Sequence, residues 1–303
     1  MGQVNSRSEQ FRITNGTRQG SVLSPALFAV YMDELLLNLR RLGVGCHVQG
    51  VYMGALGFCD DIVLLAPCRS AMEDMLVVCE QFAIRNNLEF STDPDPSKSK
   101  TKCIFVCGQA KTLEKPANLK LLGRELPWVQ SAAHLGHELH ESGAMEHDAR
   151  IKRAQFITKS TEVRETFSFA APVEILSAVK VYTCDFYGAM LWDLFGEHTE
   201  KLYRSWNTCI KLVWSVPRAT HTYFLEHLLG AGFSHVRTDL ISRYCKYFNR
   251  MLRSASSEVR ILANIVGRDV RSTTEKNLWN IKAETLRQAW TCGSALNKKS
   301  RSV

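Results

Sequence analysis

The chain has 303 residues, of which 45% are hydrophobic and 22% are charged, and its formal net charge is +8. This composition is typical of a globular chain with one or two domains that have apolar cores. We find no apolar run long enough to span a membrane and no secretory signal, so we expect an intracellular protein, cytoplasmic or nuclear.

The excess of Lys and Arg over Asp and Glu gives a pI near 9.0, which is typical of a protein that binds a polyanion such as nucleic acid. Solvated helix faces explain surplus basic residues equally well, so charge alone is weak evidence. The ten cysteines show no paired framework, which favours free thiols in a reducing compartment.

The N-terminal segment from Met1 to Ser6 satisfies the pattern for N-myristoylation at Gly2. A single acyl chain gives only marginal membrane binding. We favour a coincidental match, because the same segment is also an ordinary polar approach to the first motif.

The first predicted element is a glycine-punctuated loop, residues 15–25, that opens a helix at Ser24 and Pro25. Apolar residues recur at helical spacing from Leu27 to Leu39, and Gly43 is a suitable stop. Within the loop, Gly20 allows close backbone approach to a ligand, while Arg18 and Gln19 offer hydrogen-bond donors. A loop that only caps a helix is the alternative.

Two adjacent aspartates, Asp60 and Asp61, interrupt the apolar run from Leu56 to Ala66. A charged pair inside an apolar hairpin calls for a compensating cation, and Mg²⁺ prefers hard oxygen ligands. Because aspartate is also a common turn residue, a hairpin turn without metal remains open.

A helix follows the aspartates, and Pro94 and Pro96 then break regular structure. Further strands are predicted at residues 103–107, 119–122 and 131–139, the last two completing one sheet with the aspartate hairpin. From His147 onward the pattern is helical. A first helix there concentrates basic residues, and more lie at the tail: Arg150, Lys152, Arg153, Lys159, Arg164, Lys298, Lys299 and Arg301.

Aromatic residues recur through the helical part, and such a stripe is far more often core than a base-stacking surface. They are Phe156, Phe167, Tyr182, Phe186, Tyr187, Trp192, Trp206 and Trp214. Four histidines, His134, His137, His140 and His147, are close enough in sequence to suggest a metal site, although Gly136 among them indicates a turn.

Four segments in order resemble the motifs of reverse transcriptases from non-LTR, LINE-type retrotransposons. Residues 15–28 resemble motif B, and Phe58-Cys59-Asp60-Asp61 resembles the catalytic hairpin, motif C. Residues 96–102 resemble motif D, and residues 134–137 resemble the primer-grip segment, motif E. Residues 172–280 also resemble the helical thumb region of such elements, so the resemblance covers nearly the whole chain.

The resemblance implies an RNA-directed DNA polymerase that uses an RNA template, a DNA primer, dNTPs and two Mg²⁺ ions. It makes Asp60 and Asp61 the catalytic metal ligands and Lys98 a charge neutraliser or proton donor near the triphosphate. The nucleotide- and template-binding set it implies is Arg18, Gln19, Gly20 and Cys59, the last standing in place of the usual alanine. Leu135 and Gly136 are implied to support the primer end.

One expected part of the family's site has no counterpart in these residues. Motif A, on a strand before motif B, supplies the other carboxylate, yet Glu9 is the only acidic residue before Asp33. We therefore expect an α+β fold with a partial palm at 1–142 (an antiparallel sheet with helices on one face), a helical thumb or connection region at 143–280 and a polar tail at 281–303.

Three functions follow as hypotheses. The chain is a truncated polymerase inactive by itself, an active polymerase when upstream sequence completes it, or a non-enzymatic nucleic-acid-binding protein that uses the basic thumb. Loss of the motif A strand would also leave an unpaired, apolar sheet edge beside the aspartate hairpin.

Overall fold

The computed structural model describes residues 20–93, 95, 98–106, 116–143, 145–225 and 234–268. The chain divides into two compact units, the first formed by Met1–Thr101 with Pro116–Pro127 and the second by Lys102–Lys115 with Trp128–Val303. The predicted domain boundaries at residues 142 and 280 stay predictions.

The first unit begins with helix α1, Ser24–Leu42, which has Pro25 in its first turn. Gly43, at φ +76°, ends the helix in the left-handed conformation that glycine adopts without strain, and its N–H donates to Arg40 O at 3.2 Å. The buried face carries Met32, Leu35 and Leu39. The predicted helix is therefore present, but its N-cap is Leu23, one residue before the predicted N-cap Ser24.

Two hairpins follow α1. The first pairs β1, His47–Val48, with β2, Val51–Tyr52. The second pairs β3, Ala55–Phe58, with β4, Asp61–Leu64. Both pairs are antiparallel, and the second carries the predicted aspartates.

Helix α2, Arg69–Asn86, follows and packs against α1. Tyr31 joins the two helices, because its hydroxyl donates to Asn86 O at 3.0 Å and its ring lies 5.9 Å from the Phe82 ring. The apolar face of α2 is buried through Met75, Leu76, Cys79, Phe82 and Ala83. A third hairpin, β5 (Lys120–Leu121) and β6 (Arg124–Glu125), packs on α2.

The second unit contains the hairpin of β7, Ser131–His134, and β8, His137–His140. Five helices follow in the described residues: α3 Glu146–Thr166, α4 Pro172–Thr183, α5 Glu197–Val213, α6 Val236–Leu252 and α7 Ser257–Arg268. Their shared core contains Phe156, Leu176, Trp192, Leu202, Trp206, Ile210 and Leu240. None of the helices in the described ranges is both long and apolar enough to cross a membrane.

The α+β fold class is confirmed, but the expectation of one continuous sheet is wrong. The described strands form four separate two-stranded sheets, and residues 120–125 and 131–140 each pair only within their own hairpin. Strands of two to four residues joined by tight turns satisfy their ladder bonds locally. In the predicted strand at 103–107, Cys103 makes an isolated bridge to Trp128, and Cys107 lies outside the described residues.

The prediction that the aromatic stripe forms core is correct for some members and wrong for others. Phe156, Phe186, Trp192 and Trp206 are buried, whereas Tyr182 is 66% exposed and Tyr187 is 56% exposed. The predicted basic residues 150–164 do lie on one helix, α3, while those of the tail lie outside the described residues. All eight cysteines in the described part of the chain are free thiols.

Candidate active site

The two predicted catalytic carboxylates lie at the exposed end of the β3–β4 hairpin. The register places Phe58 opposite Asp61, so Cys59 and Asp60 form the turn between the strands. Cys59 has φ +53°, a left-handed conformation that costs a non-glycine residue about 1–2 kcal/mol. The hairpin accepts this strain, and the result is that Asp60 and Asp61 are both exposed to solvent.

Alternation along the hairpin gives its two faces different surroundings. Gly57 faces α1, since a Cβ added there would lie 3.0 Å from Leu36 Cδ1. Leu56 and Phe58 occupy the opposite face and are 48% and 62% exposed. Residues directly opposed in an antiparallel pair share a face, so Asp61 lies on this open apolar face with Phe58.

The residues of the turn fit a divalent cation in kind but supply only part of a coordination sphere. Carboxylate oxygens are the protein ligands that Mg²⁺ prefers, and it usually retains waters and substrate phosphates as further ligands. Within the described ranges, no group of three or more His, Cys, Asp or Glu side chains is arranged to hold a metal ion. Asp60 and Asp61 are therefore the residues that would hold Mg²⁺, with the other ligands coming from outside the hairpin.

Lys98 lies in the first unit with its charge accessible. Its side chain is 71% exposed and forms an i,i+3 ion pair with Asp95, Nζ to Oδ2, at 3.8 Å. The Lys98 backbone N–H also donates to Asp95 O, at 3.0 Å. An exposed ion pair at this distance contributes little to stability. The lysine can therefore exchange the Asp95 carboxylate for a phosphate.

The predicted nucleotide- and template-binding residues are only partly within the described structure. Gly20 is exposed and has φ +80°, a left-handed conformation that glycine adopts without strain. Arg18, Gln19 and the acceptor glycine Gly2 lie outside the described residues.

The predicted primer-grip turn is present in the second unit as the loop of the β7–β8 hairpin. Leu135 and Gly136 have φ +47° and +78°, the pair of left-handed residues typical of a two-residue hairpin loop. Leucine is an unusual choice at the first of these positions, where asparagine or glycine is common. The turn is thus strained at a position to which the resemblance assigns a role.

Sequence reasoning missed a buried carboxylate that fastens this hairpin to the helices. Asp148, only 1% exposed, accepts hydrogen bonds from Glu138 N at 3.2 Å and Trp192 Nε1 at 2.8 Å. Its Oδ2 also lies 3.6 Å from His137 Nδ1. In the sequence, Asp148 resembles any first-turn acidic residue that favours a helix N-terminus, so no local pattern indicated its burial.

The four histidines do not converge on one point. The His140 and His147 rings stack at 4.8 Å, and each has a separate polar partner, Ser142 Oγ and the Arg150 guanidinium. His137 instead packs beside Asp148 and the Tyr187 ring, whose centroid is 5.3 Å away. These contacts give His137, His140 and His147 structural roles in the hairpin and at the start of α3.

Residues 1–139 match the family model described as reverse transcriptase (RNA-dependent DNA polymerase). The chain is 32% identical over 111 residues to a Pol polyprotein from the type-1 retrotransposable element R2 of Nasonia vitripennis. That match covers 37% of this chain and 10% of the relative.

Two further relatives give the same result. A Pol polyprotein from the element R2DM of Drosophila melanogaster is 39% identical over 69 residues, 23% of this chain and 6% of the relative. A Pol polyprotein from the element R1 of Bradysia coprophila is 30% identical over 130 residues, 41% of this chain and 11% of the relative. The chain thus spans about a tenth or less of the length of these relatives.

Residues 1–139, slightly less than half of the chain, are thus similar to the reverse transcriptase family. The relatives are retrotransposon Pol polyproteins, which confirms the resemblance to the LINE-type class. The matched range includes both the aspartate hairpin and the Leu135–Gly136 turn.

Proposed function

We propose that this chain contributes the catalytic hairpin and primer-binding parts of an RNA-directed DNA polymerase that copies retrotransposon RNA. The observation that carries the proposal is the Asp60–Asp61 pair, exposed at a strained hairpin turn inside the range matched by the reverse transcriptase family. Two adjacent carboxylates beside an open apolar face are the hard oxygen ligands that Mg²⁺ prefers, which supports the proposal.

In this proposal Asp60 is the direct metal ligand and Asp61 the second carboxylate. Bound Mg²⁺ supplies charge neutralisation at the attacking primer oxygen and at the leaving phosphate oxygen. The hairpin positions the carboxylates, because the β3–β4 ladder and the Gly57 contact with Leu36 fix the turn to α1.

Lys98 is proposed to neutralise charge on the triphosphate or to donate a proton to the leaving pyrophosphate. Its exposure and its weak ion pair with Asp95 support this role, since a phosphate would bind the ammonium more strongly than one exposed carboxylate does. Arg18, Gln19, Gly20 and Cys59 are proposed to line the nucleotide and template, and Leu135 and Gly136 to support the primer end.

We further propose that these 303 residues do not support catalysis by themselves. Two Mg²⁺ ions need carboxylates from two strands, and the sequence before the motif B segment contains only Glu9 as an acidic residue. A carboxylate from another segment would complete the site.

The test is primer extension on an RNA template with Mg²⁺, using this chain alone and the chain extended at its N-terminus by the upstream segment of a related Pol polyprotein. We expect extension only from the longer polypeptide. Asp60→Ala in that polypeptide should lower the rate at least about 1,000-fold, as expected for the loss of several kcal/mol of charge stabilisation.

Asp74→Ala, which removes an exposed carboxylate on α2, is the matched control and should leave the rate unchanged. Templated synthesis by the 303-residue chain alone would contradict the proposed incompleteness. Synthesis that survives Asp60→Ala in the longer polypeptide would contradict the proposed site itself. Nucleic-acid binding by the longer polypeptide without synthesis would favour the non-enzymatic alternative.

A further inference from the structure

An exposed tyrosine lies directly against the turn proposed to support the primer. Tyr187 is 56% exposed, and a Cβ added to Gly136 would lie 3.2 Å from Tyr187 Cδ1, so the ring contacts the backbone of the turn. The His137 ring lies 5.3 Å from the Tyr187 ring at 34°. The turn and the tyrosine therefore form one continuous surface within the second unit.

The segment that presents Tyr187 adopts an unusual backbone. Phe186 has φ +42°, a conformation that is an outlier for a bulky residue and costs of order 1–3 kcal/mol. Gly188 follows at φ +78°, and a Cβ there would lie 1.5 Å from His137 Cε1, so only glycine fits beneath the histidine. Strain of this size persists only where the surroundings fix it.

Several contacts do fix this segment. The Phe186 ring is buried beside Phe156 and Trp192, at centroid distances of 5.9 Å and 6.2 Å. The Arg243 guanidinium donates to the carbonyl oxygens of Cys184, at 3.4 Å, and Asp185. The backbone reversal thus buries one aromatic ring and leaves the next residue's ring in solvent.

We propose that Tyr187 is a nucleic-acid-binding residue whose ring stacks on a base at the primer end held by the Leu135–Gly136 turn. This inference rests on the proposed function, which assigns the primer to that turn. An exposed tyrosine on a rigid support loses little conformational freedom on binding, and aromatic side chains stack on bases regardless of sequence. Tyr187 would fix the position of the primer end rather than select its sequence.

The test measures binding of an RNA-template/DNA-primer hybrid to the 303-residue chain, with 2-aminopurine as the terminal primer base. We expect Tyr187→Ala to raise the Kd about 5- to 100-fold and to abolish quenching of the 2-aminopurine fluorescence. Tyr187→Phe keeps the ring and should behave like the wild type. Tyr182→Ala, which removes a similarly exposed tyrosine from α4, is the matched control and should also leave both signals unchanged.

Equal affinity and quenching for Tyr187→Ala and the wild type would overturn the inference, as would equal losses in Tyr187→Ala and Tyr182→Ala. Failure of the wild-type chain to bind the hybrid would overturn it as well. Because the assay needs no chemistry, its result is separate from the primer-extension test. If Tyr187→Ala weakens binding but synthesis does not depend on Asp60, this inference stands and the proposed polymerase is rejected. If synthesis depends on Asp60 but Tyr187→Ala has no effect on binding, only the proposed polymerase stands.

Discussion

At the residue scale, a single buried polar group joins the β7–β8 hairpin to the helical core of the second unit. The group is Asp148, whose carboxylate accepts hydrogen bonds both from the backbone of β8 and from Trp192 in the helical core. A buried carboxylate is costly unless it is satisfied, and here two N–H donors satisfy it. The hairpin that carries the Leu135–Gly136 turn is therefore attached to the helices through a specific polar contact as well as through apolar packing.

The corresponding prediction concerns Asp148→Ala. The substitution leaves the Glu138 N–H and the Trp192 indole N–H without an acceptor, so we expect the free energy of unfolding to fall by about 2–4 kcal/mol. Urea denaturation measures this change. Asp185→Ala, which removes an exposed carboxylate in the same unit, should change stability by less than about 0.5 kcal/mol, and a similar loss in both variants would contradict the role given to Asp148.

At the element scale, the helices of the second unit are held by polar contacts at their ends. Helix α6 begins at a histidine cap, since His235 Nδ1 accepts from Arg237 N at 3.0 Å and His235 Nε2 lies 2.8 Å from Asn207 Oδ1 on α5. Lys180 on α4 forms an ion pair with Asp239 on α6 at 2.8 Å. These contacts join three helices around one cap.

The cap makes stability depend on pH in a defined direction. Burial, and then the Arg237 and Lys180 charges, lower the pKa of His235 to about 4, although Asp239 opposes the shift. In the unfolded chain the imidazole titrates near 6.5, so the unfolded state binds more protons between these values. The contribution of the neutral His235 cap to the free energy of unfolding is complete above about pH 6.5 and is lost as the pH falls toward 4.

We therefore expect the wild type to lose stability between pH 7 and pH 5, with His235 responsible for roughly 1–3 kcal/mol across the full window after allowance for solvent screening of a half-buried ring. His235→Asn keeps an N-cap acceptor that does not titrate and should show a smaller loss. Urea midpoints at the two pH values measure the difference. Equal losses in the two proteins would contradict the assignment.

At the scale of the whole molecule, the first unit exposes more apolar surface than an isolated hairpin and helix pair would be expected to tolerate in water. Leu56 and Phe58 lie on the open face of the β3–β4 hairpin, and the start of α1 exposes Val22, Leu23, Leu27 and Val30. No third strand pairs with β3 or β4 among the described residues. Exposed apolar strands with unpaired edges promote association between chains.

We predict that the 303-residue chain self-associates at micromolar concentration, as measured by sedimentation velocity. Leu56→Lys combined with Phe58→Lys should shift the distribution toward monomer, because charged residues on such a strand oppose pairing. Ile84→Lys, at an exposed position on α2, is the control and should have little effect. A monomeric wild type that unfolds cooperatively would show the prediction to be wrong.

The sequence by itself determined the features that depend on local order along the chain. The helix from Ser24 to Leu42 and the turns at Asp60 and Gly136 follow from residue types and short spacings, and the structure contains these three features. The similarity of residues 1–139 to reverse transcriptases rests on the same local patterns. Turns and helices can be predicted from local sequence because their physical causes lie within a few residues.

Only the tertiary structure decided which of these groups are exposed and which are joined. Tyr187 and Phe186 are adjacent and both aromatic, yet the left-handed backbone at Phe186 buries one ring and exposes the other. Asp148 reaches Trp192 across 44 positions of sequence, and the strands expected to form one sheet close instead within separate hairpins. Contacts of this kind depend on packing between distant segments, and periodicity within one segment carries no information about them.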